Sequence, residues 1–270
     1  MPTVCKQCSQ DKLEFQQAGR RGVEADFSGG DITSDAGGLL VRQVEASRDF
    51  IGDVAGCFRD HRDQRYTDHS LPELLRQRIM GLVCGYEDLI DHDQLRTDPL
   101  WSLFAGKADP GEQDPAGKST LNRLETSIAQ SSEGPRRYHK IDLGGDEADF
   151  QALFTRWYID SHGQDPPEQI ILDLDASDDP LHGDQEGKFF HGYYYHYCYL
   201  PLYIFAGDQL LWAELRRSNI DGAAGSRHAV AQIVSQLREA WPGVGITLRA
   251  DSGFARDELM SWCEANAVEY

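Results

Sequence analysis

From about Asp35 to Ser161, apolar residues recur at three- and four-residue spacing between short polar turns, the pattern of amphipathic helices. Ser70-Leu71-Pro72-Glu73 has the form of a capping box with proline in the first turn. Leu74, Leu75, Ile79, Leu82 and Val83 follow at helical spacing. Asp98-Pro99 opens a shorter segment through Trp101, Leu103 and Phe104. Lys118-Ser119-Thr120 precedes a helix carrying Leu121, Leu124 and Ile128, with Ser119 or Thr120 as its expected cap. Asp146 to Ser161 adds a helix with Phe150, Leu153, Phe154 and Trp157. The run Gly163-Gln164-Asp165-Pro166-Pro167 breaks the pattern, so the expected domains are a mainly helical region, 1–165, and a second region, 166–270.

Beyond that break the periodicity changes. Gln169–Ala176 reads as a strand, apolar on both faces at first and then alternating. A polar, glycine-containing loop leads to the aromatic run FFHGYYYHYCYLPLYIF, expected as the second strand. Ala206-Gly207-Asp208-Gln209 turns the chain into a third, LLWAELRR. Gly225 to Trp241 reads as a helix with Val230, Ile233, Val234 and Leu237 on one face, ended by Pro242-Gly243. GITLRAD is a fourth strand, Arg256–Ala265 a helix, and Ala267–Tyr270 the first residues of a fifth strand. The order β-β-β-α-β-α-β, with a right-handed crossover returning strand four beside strand one, predicts an α/β chain. Its expected fold is a helical N-terminal region followed by an RNase H-like mixed sheet, incomplete at the C-terminus.

That topology gives two aspartates a meaning. Asp175 ends strand one and Asp251 ends strand four; on adjacent parallel strands about 4.8 Å apart their carboxylates meet at one sheet edge. Hard divalent cations take oxygen ligands, and two metals about 4 Å apart can activate an attacking hydroxyl and stabilise the leaving oxygen of a phosphodiester. Asp173 lies two residues before Asp175, on the same face, and is a further candidate ligand. Arg249 shares the face of Asp251 and either touches a phosphate or forms a structural ion pair. Arg216, Arg217 and Lys188 flank the region as weaker DNA-contact candidates.

Composition qualifies this picture. The 270 residues carry a net charge of −19, against the basic surface usual for DNA binding, so any DNA contact must be a local groove. The acid-rich balance, with lysine only at positions 6, 12, 107, 118, 140 and 188, is the one expected of a chain kept soluble in high salt. No apolar run of about 18 residues and no secretion signal is present, so a soluble, cytoplasmic chain without membrane contact is expected. Cys5 and Cys8 form a lone CxxC lacking two further zinc ligands, and read as free thiols at a frayed terminus. Gly111–Ser119 resembles a phosphate-binding loop but has five residues between its glycines and no preceding strand. Arg59, Arg62 and Arg65, interleaved with Asp60, Asp63 and Asp68, read as solvated surface, as do His61, His69 and His92.

The segments ITSDAGGLLVR, FRDHRDQRYTDH, GLVCGYEDLIDHDQLRTDPL and AGKSTLNRLE, then DLDASDDPLHGDQEGKFFHGYY, YCYLPLYIF, ELRRSNID and LRADSGFARDELMSWCE, resemble the group 1 DDE transposases of prokaryotic insertion sequences. The resemblance runs from about Leu13 to Tyr270. It implies DNA strand cleavage and strand transfer at terminal inverted repeats, dependent on Mg²⁺ or Mn²⁺, with double-stranded DNA as partner and a homodimer expected of a two-ended reaction. It puts the first and second catalytic aspartates on Asp175 and Asp251, with Ser177 where the family usually has threonine. The family's catalytic glutamate comes from a later helix. Glu258, Glu264 and Glu269 follow Asp251 too closely for that role, so the chain is expected to be an N-terminal portion, inactive alone. The alternatives are a catalytically inactive remnant that binds DNA or interferes with intact transposase, and a stand-alone magnesium phosphatase or nuclease on the same scaffold.

Overall fold

Ile170, Leu172 and Leu174 alternate with Gln169, Ile171, Asp173 and Asp175, and a half-buried strand is what such alternation makes. The computed structural model of the chain describes residues 12–26, 33–107, 113–129, 140–144, 147–163 and 165–270. Cys5, Cys8 and the start of the loop at Gly111 lie outside them. Two compact units divide the chain, Met1–Gly145 and Asp146–Tyr270.

In the first unit, β1 (Leu13–Ala18) and β2 (Arg21–Ala25) form an antiparallel hairpin about a tight turn in which Gly19 is left-handed (φ 61°). Helices α1 (Gly38–Arg48) and α2 (Phe50–Gly56) follow, then β3 (Phe58–Asp60), α3 (Leu71–Val83), α4 (Asp91–Leu95), α5 (Pro99–Ala105), α6 (Lys118–Ala129) and β4 (Ile141–Leu143), which pairs antiparallel with β3. The expected capping box is formed: Ser70 N–H donates to Glu73 Oε2 at 2.7 Å and Glu73 N–H to Ser70 Oγ at 3.4 Å. Four short strands thus join a region read as helical, their three- to six-residue lengths leaving little periodicity to detect. At α6 neither Ser119 nor Thr120 is the cap; the helix starts at Lys118, whose N–H donates to Asp93 Oδ1 at 3.0 Å.

His92 is not on the surface. It is fully buried, edge-on to Trp101, with its ring so close to α3 that a Cβ on Gly81 would meet it at 2.9 Å. Gln77 is pinned to Ala116 by both amide atoms, Nε2 to the carbonyl at 2.7 Å and Oε1 from the N–H at 2.8 Å. The same Nε2 therefore points a donor at His92 Nδ1, 3.2 Å away, and makes that nitrogen an acceptor. Burial lowers the His92 pKa accordingly. Arg62 is also half-buried, forked onto Asp60 and donating to the His69 carbonyl at 3.0 Å.

The second unit begins with α7 (Glu147–His162), so the unit boundary lies at Gly145–Asp146 and not at the Gly163–Pro167 break. The reason is packing: α7 lies against strand β10 (Gln209–Glu214) and helix α8 (Ser226–Ala240), and Tyr158 enters their core. Its apolar stripe looks the same whichever core it covers.

The main sheet comprises β5 (Gln169–Asp175), β9 (Leu202–Ala206), β10 and β11 (Gly245–Arg249), in the order β10-β9-β5-β11. β9 is antiparallel to β5 and to β10, while β11 is parallel to β5. Glu269 forms an isolated parallel bridge to Thr247, beside the fourth strand. This is the RNase H-like arrangement expected from the sequence. One face buries Ile170, Leu172, Leu174, Ile204, Ile246 and Leu248 under α8 and α9 (Asp257–Ala265). Ile171, on the other face with Asp173 and Asp175, is 42% exposed.

The aromatic run is not one strand. It divides into β7 (Phe189–His191), β8 (His196–Tyr199) and β9, and β8 is flanked by β7 and the two-residue β6 (Asp179–Pro180) in a separate small sheet. Gly192 and left-handed Tyr195 (φ 60°) reverse the chain between β7 and β8. Pro201, without an N–H, stands between β8 and β9. High β propensity predicted extension correctly but carried no information on where the chain folds back.

Candidate active site

Throughout the β5–β11 ladder the paired residues differ by the same offset, from Gly245↔Gln169 to Arg249↔Asp173. The ladder ends there: Asp175 is two residues past its last pair at the end of β5, and Asp251 two residues past it, beyond the end of β11, where it caps a short helical turn (φ −75°, ψ 174°). On β5 the two-residue side-chain period puts Asp175 on the face that carries Asp173. Asp175 and Asp251 are exposed, at the ends from which the chain leaves the sheet.

Each carboxylate is steadied by one oxygen. Ser177 Oγ donates to Asp175 Oδ2 at 2.5 Å, and Gly253 N–H donates to Asp251 Oδ1 at 2.8 Å, closing a short helical turn over Ser252–Phe254. A Cβ on Gly253 would stand 2.8 Å from that same Oδ1, so any larger residue there would displace the carboxylate. Asp251 also borders a cavity of about 340 Å³ whose other walls include Leu248, Phe254, Leu259 and Cys263. The remaining oxygens, Asp175 Oδ1 and Asp251 Oδ2, accept no hydrogen bond within the described structure.

Asp173 is engaged differently. Arg249 forks onto it, Nε to Oδ1 and Nη2 to Oδ2 at 2.7 Å, so both its oxygens are taken and Arg249 is held as its partner. Arg249 is correspondingly pushed above the usual guanidinium range, first by the hydrogen bond and then by the charge of Asp173. The sequence favoured Asp175 and kept Asp173 as a further candidate ligand; a cross-strand arginine engages Asp173.

The other basic candidates are dispersed. Arg216 is buried and donates to three carbonyls, of Leu200 at 2.9 Å, Gly222 at 3.0 Å and Ala224. Burial lowers its pKa, opposed by Glu214 and Asp221. Lys188 is tied to the Gly183 carbonyl at 2.9 Å and to Asp184 at 2.8 Å. Arg217 is exposed, beside Gly187, and no described carboxylate pairs with it. The loop after Asp175 is otherwise acidic: Asp178 binds His196 at 2.7 Å and Asp179 opens β6.

Oxygen-only donors suit a hard divalent cation, and one or two carboxylates completed by water and phosphate oxygens form a sufficient set for Mg²⁺. Asp175 and Asp251 meet that requirement. Among the described residues no group of three or more His, Cys, Asp or Glu side chains converges on one point. No described helix is long and apolar enough to cross a membrane. Sequence reasoning missed the Ser177 and Gly253 contacts, although the spacing of both, two residues after an aspartate at a strand end, is the turn-forming pattern.

Among solved structures, a pre-cleavage Mos1 transpososome matches at 9% identity and a TM-score of 0.25, covering 77% of this chain and 59% of that one. The Mos1 transposase paired-end complex with left transposon end matches at 10% identity and a TM-score of 0.26, covering 90% and 68%. At these scores the superpositions decide nothing about fold or activity, and this chain spans 59% of the length of the first. A search of curated proteins gave no match. The family described as Transposase DDE domain group 1 matches residues 15–270, nearly the whole chain, and the protein belongs to that family.

Proposed function

We propose that Asp175 and Asp251 are two carboxylates of a DNA strand-cleavage and strand-transfer site acting on the terminal inverted repeats of an insertion sequence. The observation that carries this reading is that each follows by two residues the last pair of the parallel β5–β11 ladder, with one oxygen fixed by a local contact and the other accepting no hydrogen bond. When bound, Mg²⁺ or Mn²⁺ supplies Lewis acidity toward the phosphodiester and lowers the pKa of a bound hydroxyl. Asp175 Oδ1 and Asp251 Oδ2 are the oxygens that would hold it. Ser177 keeps the hydroxyl that the family's threonine carries, so that departure costs only a methyl group. Asp173 and Arg249 act as a cross-strand brace beneath the pair, and Arg216 as a structural residue. Arg217, exposed and with no described carboxylate partner, is the basic candidate assigned to a phosphate. The N-terminal unit is assigned recognition of the repeats, and a homodimer would bring two ends together.

The test is strand cleavage and transfer with duplex DNA from the two flanks of the encoding element, in Mg²⁺ and in EDTA. Asp175→Asn and Asp251→Asn should each remove metal-dependent product while leaving the fold unchanged by circular dichroism. Product that persists in Asp251→Asn sinks the assignment. A second reading is binding of element ends without cutting. It predicts sequence-selective binding of the same DNA with no product in any metal.

A further inference from the structure

Ala176, Ser177 and Asp178 carry the chain from the main sheet to the small one. On one side Asp175 still pairs with Tyr203 of β9. On the other, Asp179 and Pro180 pair with Tyr199 and Cys198 of β8. Side chains fasten the segment between. Ser177 Oγ donates to Asp175 Oδ2 at 2.5 Å, and His196, on β8, donates from Nε2 to Asp178 Oδ2 at 2.7 Å. Among the described residues His196 is the one hydrogen-bond partner of the Asp178 carboxylate. Their side chains are 38% and 27% exposed, so the bond is partly shielded from competing water.

His196 is itself held in place. Its backbone pairs with His191 across the β7–β8 ladder, and Tyr194 stacks on its ring with centroids 6.0 Å apart and planes 28° from parallel. Tyr194 is flanked in turn by His191 at 4.8 Å. Left-handed Tyr195, whose N–H donates to the His191 carbonyl at 2.9 Å, closes the turn that carries these rings. The Tyr194 hydroxyl stands 3.5 Å from the Ala176 carbonyl, a long contact that adds little. The short bond to Asp178 is therefore the main fastening between the hairpin and the segment.

A partly exposed pair of this kind contributes little to global stability, so its effect falls on where the segment sits. We infer that His196 is a positioning residue for Asp175: through Asp178 it fixes segment 176–178, and through Ser177 that segment fixes the carboxylate. This rests on the assignment of Asp175 to the metal-holding pair, and it adds the residue on the neighbouring sheet that aims it. Contacts that orient a metal ligand change metal affinity by about tenfold to a hundredfold when removed. His196 acts one step further out than Ser177, which puts its effect at the lower end.

The full chain is titrated with Mn²⁺, and the free ion is read by electron paramagnetic resonance. His196→Ala should weaken Mn²⁺ binding by about tenfold with little change in a thermal melt. His196→Gln, whose amide nitrogen reaches about as far as Nε2, should restore it. Asp178→Ala should match His196→Ala, and the double variant should lose no more than either, because both break one link. Equal affinity in wild type and His196→Ala overturns the proposal, as do additive losses or failure of glutamine to restore binding. A far larger loss in Asp178→Ala than in His196→Ala would make Asp178 a ligand in its own right and also overturn it. The link is read separately, without added Mn²⁺, by a protease that cuts before aspartate, with the peptides assigned by mass spectrometry. Cutting before Asp178 and Asp179 should quicken in His196→Ala and slow again in His196→Gln; an unchanged rate overturns the proposal. If wild type and Asp175→Asn bind Mn²⁺ alike, the metal assignment is what fails, and the cutting rate still decides whether His196 fixes the segment.

Discussion

Replacing Arg216 by methionine removes three hydrogen bonds from a buried position while keeping most of the side-chain volume. The guanidinium, 6% exposed, ties the end of β8 at Leu200 to the loop at Gly222 and Ala224 that leads into α8. Each carbonyl left without its donor costs about 1–3 kcal/mol, so three would cost about 3–9 kcal/mol if none found a new partner. Water entering the polar space left behind satisfies some of them, and relief from burying the charge offsets more. A loss of about 3 kcal/mol is therefore expected. Arg216→Lys should fall between, since one ammonium cannot span three diverging acceptors. The assay is urea denaturation followed by tryptophan fluorescence and far-ultraviolet circular dichroism, with the midpoint and slope read separately. If Arg216→Met keeps its stability within about 0.5 kcal/mol, the structural role is wrong. If it also lowers the slope of log affinity for DNA against log salt by about one, Arg216 is a phosphate contact.

Three further outcomes follow from the same geometry. Arg249→Met should cost less than about 1 kcal/mol in a melt, because the pair with Asp173 is largely in water, and Asp173→Asn should retain metal-dependent cleavage that Asp175→Asn loses. Gly253→Ala forces the Asp251 carboxylate aside, so strand transfer should fall by about a hundredfold with little change in melting temperature, and unchanged transfer would refute the positioning role of that contact. His92 is held neutral in the fold with its pKa lowered by burial, so the unfolded chain takes up the proton first as pH drops below 6.5. Stability should be level above that pH and decline below it through the lowered folded pKa, by up to about 1.4 kcal/mol per pH unit. His92→Asn should remove one proton's worth of that slope in pH-dependent melts, leaving the part contributed by His69, whose pKa burial also lowers.

Much of the site was legible because its elements are regular. The alternation in Gln169–Asp175, the helical stripe of Val230, Ile233, Val234 and Leu237, and the strand Gly245–Arg249 pointed to a parallel first–fourth pair, which the structure forms. The same alternation put Asp173 on the face of Asp175, and what separates the two is an arginine on another strand. Arg216 and Arg217 are neighbours of one type, yet opposite sides of an extended backbone send one into three carbonyls and leave the other exposed.

By itself, then, the sequence determined the period-two and helical stripes, the order of elements and the capping box at Ser70, because each depends on residues within a few positions of one another. Only the tertiary structure decided which core α7 covers, where the aromatic run turns back, that His92 is interior, and which carboxylates keep a free oxygen. Those outcomes depend on partners far apart in the chain: Gln77 and Ala116 for His92, Arg249 for Asp173, β10 and α8 for α7. Local pattern specifies how much surface a segment must bury. Which distant surface covers it is set by register and packing, and these exist only once the chain has folded.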